Sequence, residues 1–218
     1  MNDFTSARTA MVDCQVRPSD VTKYPIINAL LNIAREKYVP TDKISIAYVG
    51  DHVALGNSRY LLDARTFAKM LDAVNVRGDE LVLDIACGLG YSTAVIADLA
   101  EAVVGVEDNA ELADAASETL SQQGVDNAIV VSAPLSTGAA KHGPYDVVVL
   151  QGAIEVFPES LVQQLKDGGR VAAIFVDGAM GQCRIGIKSG DTINWKRDFD
   201  ATAPILGGFE RTIEFNLA

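Results

Sequence analysis

The sequence contains few cysteines, and their spacing gives no sign of a disulfide or a metal site. Cys14, Cys87 and Cys183 are an odd number and form no Cys-x-x-Cys motif. This pattern argues against a disulfide framework and a zinc site, and it favours a reducing compartment. His52 and His142 lie in polar segments without a second ligand at metal spacing. We therefore expect no metal.

Long apolar runs are also missing from the sequence. No segment approaches the length of a membrane span, and the first sixteen residues carry polar and acidic side chains where a signal peptide needs an apolar core. We therefore expect a cytoplasmic protein with no membrane partner.

Basic residues are outnumbered by acidic ones. The chain has 18 Lys and Arg against 29 Asp and Glu, which gives a net charge of −11. A surface of this sign repels phosphate backbones unless it carries a local basic stripe. The most basic stretch, 188–197, is interrupted by Asp191. We do not expect a nucleic-acid partner.

The chain has enough apolar residues for a sizeable core. Of its 218 residues 49% are hydrophobic and 22% are charged, as in ordinary soluble domains. We expect a single domain over 1–218, with a helical N-terminal region at 1–77 and a core with C-terminal strands at 78–218. No internal repeat or linker interrupts it.

Hydrophobic periodicity predicts two helices before residue 78. The first is capped by Ser19 or Asp20 and runs to Ile33, and the second covers 66–74. Between them, the segment up to Ser58 is polar and irregular.

After residue 78 the pattern alternates between strands and helices. The predicted strands are 81–85, 102–106, 128–131, 145–150 and 170–176. The predicted helices between them are 93–99, 111–122 and 158–165. Alternation of this kind predicts an α/β fold with a doubly wound, mostly parallel sheet. Three further apolar runs without helices between them, 182–187, 192–198 and 209–215, predict antiparallel strands at the sheet edge.

The most informative segment is a turn of small residues after the first predicted strand. It reads Asp84-Ile85-Ala86-Cys87-Gly88-Leu89-Gly90. Ligands in open α/β sheets bind at the carboxyl ends of strands, so this turn faces the predicted site. Gly88 and Gly90 carry no side chain, which lets a ligand lie against backbone N–H groups.

An acidic residue, Glu107, ends the second predicted strand. A carboxylate at this place can accept hydrogen bonds from both hydroxyls of a ribose. Taken separately, the two glycines are typical of any strand-to-helix turn, and Glu107 is typical of any acidic residue on a solvated surface. Their combined order and spacing favour a nucleoside site.

Two features favour S-adenosylmethionine over a nicotinamide dinucleotide as the ligand. Thr93 stands where a dinucleotide fingerprint has its third glycine, and Ala86 precedes the glycine pair. Asp84 can hold the amino group of a methionine moiety, whereas it would repel a pyrophosphate. A dinucleotide-dependent oxidoreductase is a weaker alternative, because no catalytic pair stands out.

The turn resembles the cofactor motif of the protein-L-isoaspartate O-methyltransferases in the stretch VLDIACGLGYSTAVIA. The resemblance covers residues 11–215 and includes Arg35-Glu36-Lys37-Tyr38-Val39-Pro40 upstream. Downstream it includes Gly143-Pro144-Tyr145-Asp146 and Leu165-Lys166-Asp167-Gly168-Gly169-Arg170. The fold that it implies is a Rossmann-like methyltransferase sheet with antiparallel C-terminal strands and an N-terminal helical extension.

The activity implied by this resemblance is transfer of a methyl group from S-adenosylmethionine to the α-carboxylate of L-isoaspartyl or D-aspartyl residues in damaged proteins. Residues 1–77 would then lie on the substrate side and 78–218 would form the cofactor-binding core. The predicted cofactor-binding residues are Asp84, Ala86, Gly88, Gly90, Glu107 and Ser132. The sequence identifies no catalytic residue.

The sequence departs from the family at two places. Our alignment puts Leu62 where the family has a Ser or Thr hydroxyl beside the reacting groups. After the third core strand the family has Gly-Asp-Gly, whereas this chain has Ser132-Ala133-Pro134-Leu135. Ser132 is the candidate to replace the Asp that accepts from the adenine amino group.

These departures leave two alternatives open, a methyltransferase acting on another substrate and a binding module without isoaspartyl activity. Asp63 and Arg65 add charges to 59–65, the stretch that corresponds to the family's substrate segment. We interpret Asp63 as a helix cap and Arg65 as solvated, with Arg65 pairing to a substrate carboxylate as the alternative.

Overall fold

A computed structural model describes residues 3–178 and 180–211 of the chain. The strands in this part of the chain are β1 (Val53–Gly56), β2 (Arg59–Leu61), β3 (Leu81–Ile85), β4 (Ala102–Glu107), β5 (Ala128–Ser132), β6 (Tyr145–Ile154), β7 (Leu165–Asp177), β8 (Met180–Ser189) and β9 (Thr192–Asp200). The α-helices are α1 (Phe4–Met11), α2 (Tyr24–Asn32), α3 (Ala64–Val74), α4 (Tyr91–Ala97), α5 (Ala110–Gln122) and α6 (Glu159–Val162).

Seven strands form one sheet in the order β5-β4-β3-β6-β7-β8-β9. The strands from β5 to β7 run parallel, and β8 and β9 are antiparallel additions. This is the predicted doubly wound sheet, and its antiparallel C-terminal strands are confirmed. The chain goes outward from β3 through β4 to β5 and then returns to β6 beside β3, so the topology reverses at the carboxyl end of β3.

The parallel strands alternate their side chains between two buried layers. Val82 and Val149 pack in the layer formed with α2, α3 and α4. Leu83 and Val148 pack in the opposite layer, which also contains Leu161 of α6. Because strand side chains alternate, nearly continuous apolar strands are what a sheet covered on both faces requires.

The first two helical predictions differ in accuracy. The helix predicted from Ser19 or Asp20 begins only at Tyr24, so the predicted cap is wrong. Asp20 has a φ of 66° and ends a 3₁₀ turn, whereas Pro25 lies in the first turn of α2, where proline is well tolerated. The second helix, α3, covers the predicted range and starts two residues earlier.

The predicted core elements are present with shifted ends. The prediction of a helix at 158–165 is too long, because α6 ends at Val162 and β7 begins at Leu165. The last predicted strand, 209–215, is not a strand at 209–211, and the rest of it lies outside the described residues. Strands β1 and β2 form a separate antiparallel hairpin that the sequence did not indicate.

Helices in the described part of the chain are all too short or too polar to cross a membrane.

Candidate functional site

The glycine turn lies between β3 and α4, at the point where the sheet topology reverses. Three of its residues have positive φ angles, namely Ala86 at 63°, Gly88 at 57° and Gly90 at 90°. The amide N–H groups of Ala86 and Cys87 both donate to the carbonyl oxygen of Val106, at 2.9 and 3.2 Å. The turn is thereby held against the end of the neighbouring strand β4.

Asp84 is fully buried and surrounded by side-chain donors. Its Oδ2 accepts from Ser92 Oγ at 2.6 Å and from Thr93 Oγ1 at 2.7 Å, and its Oδ1 accepts from Gln151 Nε2 at 2.7 Å. Burial raises the pKa of Asp84 to about 6, against the effect of these hydrogen bonds. Protein groups therefore occupy both carboxylate oxygens of Asp84 in this conformation. The contact of Asp84 with a cofactor amino group remains a prediction.

Thr93 has a structural use that the sequence did not reveal. It is fully buried and fills the space beside Gly105 of β4, while its hydroxyl donates to Asp84. A Cβ atom added to Gly105 would lie 3.1 Å from both Thr93 Oγ1 and Cys87 Sγ. The hydroxyl therefore takes room that a third glycine would leave open for close helix packing.

Glu107 lies at the carboxyl end of β4, fully buried and directly beside the glycine turn. Backbone N–H groups of Gly88, Asp108 and Asn109 donate to its carboxylate at 2.9, 3.1 and 3.2 Å. Burial raises the pKa of Glu107, and the positive charge of Arg59 opposes this shift. Only N–H donors face the carboxylate in these contacts, which is a suitable environment for its ionised form.

The fourth partner of Glu107 comes from the hairpin of β1 and β2. Arg59 Nε lies 2.9 and 3.0 Å from the two carboxylate oxygens, and the Arg59 side chain is 4% exposed. Its Nη2 also contacts Asp108. Arg59 and Glu107 are 48 positions apart in the sequence, so no local sequence pattern marks the pair.

Leu55 of the same hairpin covers the glycine turn. A Cβ atom on Gly88 would lie only 2.6 Å from Leu55 Cδ1, so the leucine rests directly on the glycine α carbon. The space left between hairpin and turn is about 10 Å³, roughly enough for one water molecule. This cavity is lined by Tyr38, Leu55, Tyr60, Leu61, Leu62, Ala86, Cys87, Leu89, Tyr91, Ser92 and Gln151.

The predicted residue Ser132 lies at the open side of the site. It ends β5 and pairs in register with Glu107, and it is exposed. An open cleft of about 550 Å³ extends from Asp108 and Ser132 to Gly208. The structure thus places Ser132 next to accessible space, whereas Asp84, Gly88 and Glu107 lie under cover.

Leu62 is buried at the position where our alignment expects a hydroxyl. Its carbonyl oxygen accepts from Arg35 Nη2 at 2.7 Å, and Arg35 Nε donates to the carbonyl oxygen of Ala47 at 2.6 Å. The fully buried Arg35 thereby links the backbone at Leu62 to the backbone at Ala47. The next residue, Asp63, accepts from Thr66 N at 2.8 Å and caps α3, as predicted.

Arg65 is exposed, as predicted, and it lines an open cavity. The cavity has a volume of about 700 Å³ and is also lined by His52, Asp63, Arg197 and Asp200. Both cationic and acidic side chains face it, so its charge does not favour one sign of ligand. Within the described residues, no group of three or more His, Cys, Asp or Glu is placed to hold a metal ion.

The structure therefore brings three of the six predicted residues, Ala86, Gly88 and Glu107, under the hairpin. Asp84 is buried beside α4, Gly90 caps α4 and Ser132 lies outside. Sequence reasoning missed Leu55, Arg59 and Gln151. Leu55 and Arg59 reach the site through tertiary packing and stand in no motif, whereas Gln151 directly follows the strand predicted at 145–150, whose carboxyl end lies beside that of β3.

Comparison with known proteins identifies a family match for most of the chain. Residues 7–188 match the family described as Protein-L-isoaspartate(D-aspartate) O-methyltransferase. A protein-L-isoaspartate O-methyltransferase of Dictyoglomus thermophilum is 32% identical over 167 residues, which is 77% of this chain and 76% of the relative.

Two solved structures have the same fold. One, a protein-L-isoaspartate O-methyltransferase, has a TM-score of 0.81 at 22% identity. The match covers 92% of this chain and 66% of the solved chain, so this chain spans slightly less than two thirds of that protein's length. The other is a Plasmodium falciparum chain assigned to the same enzyme type, whose structure contains S-adenosyl-L-homocysteine. It has a TM-score of 0.78 at 18% identity and covers 94% of this chain and 99% of its own.

Proposed function

The chain belongs to the protein-L-isoaspartate(D-aspartate) O-methyltransferase family, and we propose that it transfers a methyl group from S-adenosylmethionine to the carboxylate of L-isoaspartyl or D-aspartyl residues in damaged proteins. The family match includes both the N-terminal region and the core of the sheet. It therefore covers the parts of the fold that would meet the acceptor and the cofactor.

The observation that carries this proposal is the contact between the glycine turn and Glu107. Gly88 N donates to Glu107 Oε2 at 2.9 Å, which joins the turn after β3 to the acid at the end of β4. A small-residue turn beside a carboxylate at a topological switch point is how α/β sheets receive the ribose of an adenosine-containing ligand. Ser132, one strand further along, lies beside the open cleft that would receive the base.

The proposed reaction does not require the protein to transfer a proton. A carboxylate acceptor is already ionised at neutral pH, so no strong base is needed. S-adenosylmethionine supplies an electrophilic methyl group on a positively charged sulfur. The protein's task is to align the acceptor oxygen with that methyl group and to exclude water.

The residues of the pocket match the cofactor in chemistry but not in available space. Glu107 has the charge and position to bind ribose hydroxyls, and Gly88 and Ala86 present backbone at the turn. In this conformation, however, Arg59 occupies the carboxylate and Leu55 covers Gly88, so cofactor entry requires the hairpin to move.

A second candidate function is a methyltransferase-fold module that has lost isoaspartyl activity or acts on another acceptor. The buried side chain of Leu62 favours it, because no hydroxyl is available at the position where the family has one. One placed hydrogen bond of this kind contributes a few kcal/mol to a transition state.

The direct test is methyl transfer from labelled S-adenosylmethionine to a peptide with one L-isoaspartyl residue. The control is the same peptide with a normal aspartyl residue. We expect labelled methyl ester on the isoaspartyl peptide alone. Binding of the cofactor without transfer to either peptide would contradict the isoaspartyl assignment and favour the second candidate.

The role of Glu107 needs its own variant. Glu107→Ala should raise the KM for the cofactor by about tenfold or more, which corresponds to losing a charge-assisted contact of about 1.5–3 kcal/mol. Glu111→Ala removes a nearby exposed acid and should leave the KM unchanged. Equal KM values for all three proteins would rule out Glu107 as a cofactor ligand.

We also propose that the protein acts in the cytoplasm on protein or peptide substrates. The described cysteines, Cys14, Cys87 and Cys183, are all free thiols, which suits a reducing compartment. Fractionation of cells that produce the tagged protein would test the location.

A further inference from the structure

We propose that the hairpin of β1 and β2 is a built-in competitor of the cofactor, which closes the pocket through Arg59 and Leu55 and must leave before S-adenosylmethionine binds. This inference rests on the proposed function, because it concerns the same pocket. It adds a regulatory step that precedes binding.

The first reason is that Arg59 satisfies the group that the ribose would need. Its Nε contacts both oxygens of Glu107, and its Nη2 contacts Asp108. With the three backbone N–H groups, the Glu107 carboxylate already has four donors. A ribose can gain access to these oxygens only by displacing the guanidinium.

The second reason is steric. Leu55 Cδ1 lies where a ligand would have to approach Gly88, and only about 10 Å³ remain between hairpin and turn. This volume is close to that of one water molecule. A nucleoside and the closed hairpin therefore exclude each other.

Side-chain packing holds the hairpin in place, and Val53, Leu55 and Leu61 are buried in the apolar cluster beneath it. The strands of the hairpin have four and three residues and form a sheet of their own, apart from the seven-stranded sheet. Two-stranded hairpins are marginally stable in isolation. Asn57 and Ser58, at its tip, both have positive φ, which is unfavourable for Ser58. Side-chain contacts at the pocket thus supply much of the free energy that stabilises the hairpin in its closed position.

The pocket beneath the hairpin keeps polar groups that the closed state leaves unused. The buried hydroxyls of Tyr38 and Tyr91 have no hydrogen-bond partner among the described residues, and both tyrosines line the small cavity. Unpartnered buried hydroxyls cost free energy. Once the hairpin opens, water or a polar ligand would give these two hydroxyls a hydrogen-bond partner.

The test is calorimetric titration of S-adenosylhomocysteine into the full-length protein and its variants. Arg59→Ala removes the ion pair, and Leu55→Ala removes the steric cover. Arg17→Ala is the matched control, because Arg17 forms an exposed ion pair with Asp13. If the pocket is mostly closed, its apparent affinity is reduced by the open fraction, so each hairpin variant should bind at least about tenfold more tightly.

The outcomes separate this inference from the proposed function. Tighter binding by both hairpin variants and an unchanged control would support the competition. Equal binding by wild type and variants would overturn it and leave the methyltransferase assignment intact. No binding by any folded variant would overturn both.

A second measurement uses the unaltered protein, so it does not depend on the variants folding. Hydrogen exchange of the backbone amides at 53–61 should become faster when S-adenosylhomocysteine binds, because the ligand displaces the hairpin. Slower exchange there would show that the hairpin covers bound ligand, and the inference would be wrong.

Discussion

Arg59 Nε and the carboxylate of Glu107 form a buried ion pair at 2.9 and 3.0 Å, between a two-stranded hairpin and the end of a core strand. The pair joins the two-stranded sheet to a fully buried carboxylate of the seven-stranded sheet. Its contribution to stability can be measured apart from ligand binding.

Arg59→Met should lower the free energy of unfolding by about 2 kcal/mol. Breaking a buried pair usually costs about 3–5 kcal/mol because it leaves an uncompensated charge. Here Gly88, Asp108 and Asn109 still donate to Glu107, which reduces the loss. Urea unfolding measures the change, and Arg17→Met, in an exposed pair, should change it by less than about 1 kcal/mol. Equal losses for both variants would contradict the expectation.

Ser58→Gly should stabilise the closed hairpin. Ser58 is exposed with a φ of 57°, a left-handed conformation that costs a side-chain-bearing residue about 1–2 kcal/mol. Glycine removes this cost but has a more flexible unfolded state, so we expect a net gain of about 0.5 kcal/mol. S-adenosylhomocysteine binding should weaken at the same time, because the closed state is favoured.

A serine in a regular helix provides the comparison for Ser58. Ser121→Gly in α5 should instead lower stability by about 0.5 kcal/mol, since glycine is a poor helix former. Thermal unfolding gives both shifts, and the same sign for both variants would refute the backbone explanation.

Leu62→Ser tests whether a missing hydroxyl limits isoaspartyl methylation. The exchange removes a buried apolar side chain, so stability should fall by about 2–5 kcal/mol, as for other large-to-small core substitutions. Leu62→Ala has the same cavity and no hydroxyl. If the hydroxyl assists transfer, the Ser variant should methylate an isoaspartyl peptide faster than the Ala variant. Equal rates would show that position 62 does not take part.

Asp84 should make the protein less stable as the pH rises from about 4 to 6. Burial raises its pKa from 3.8 to about 6, so the folded state binds more protons than the unfolded state in this window. Stability therefore falls with pH through the window and levels off above the folded pKa. A shift of about two units corresponds to about 3 kcal/mol.

The variant that checks this dependence is Asp84→Asn. Relative to wild type, its unfolding free energy should improve between pH 4 and 6 and then remain constant. Asp114→Asn, on the exposed face of α5, controls for loss of one negative charge. A wild-type profile parallel to that of Asp84→Asn would show that Asp84 does not titrate in this range.

The sequence predicted the sheet well because its signals are local. Each core strand is a short apolar run bounded by turn residues, and the alternation with helices implies parallel pairing. The contact between the glycine turn and Glu107 follows from the same logic, since both lie at carboxyl ends of adjacent strands. Glu107 and Ser132 are in register, as expected for neighbouring strand ends.

The hairpin could not be predicted in the same way. Its strands are four and three residues long, too short for a clear period. Arg59 reaches Glu107 only after the hairpin folds over the turn. The predicted start of the first helix was wrong for a local reason, because Asp20 adopts a left-handed conformation instead of capping the helix.

Gly105 limits the order in which substitutions at this site can be accepted. A methyl group there would press on the Cys87 sulfur and the Thr93 hydroxyl oxygen at once. A lineage that replaced Gly105 would first have to make room at both positions, and removing the close oxygen of Thr93 would also remove the hydroxyl that donates to Asp84. Positions 84, 87, 93 and 105 therefore form an epistatic group, in which the fitness of each change depends on which others came before it.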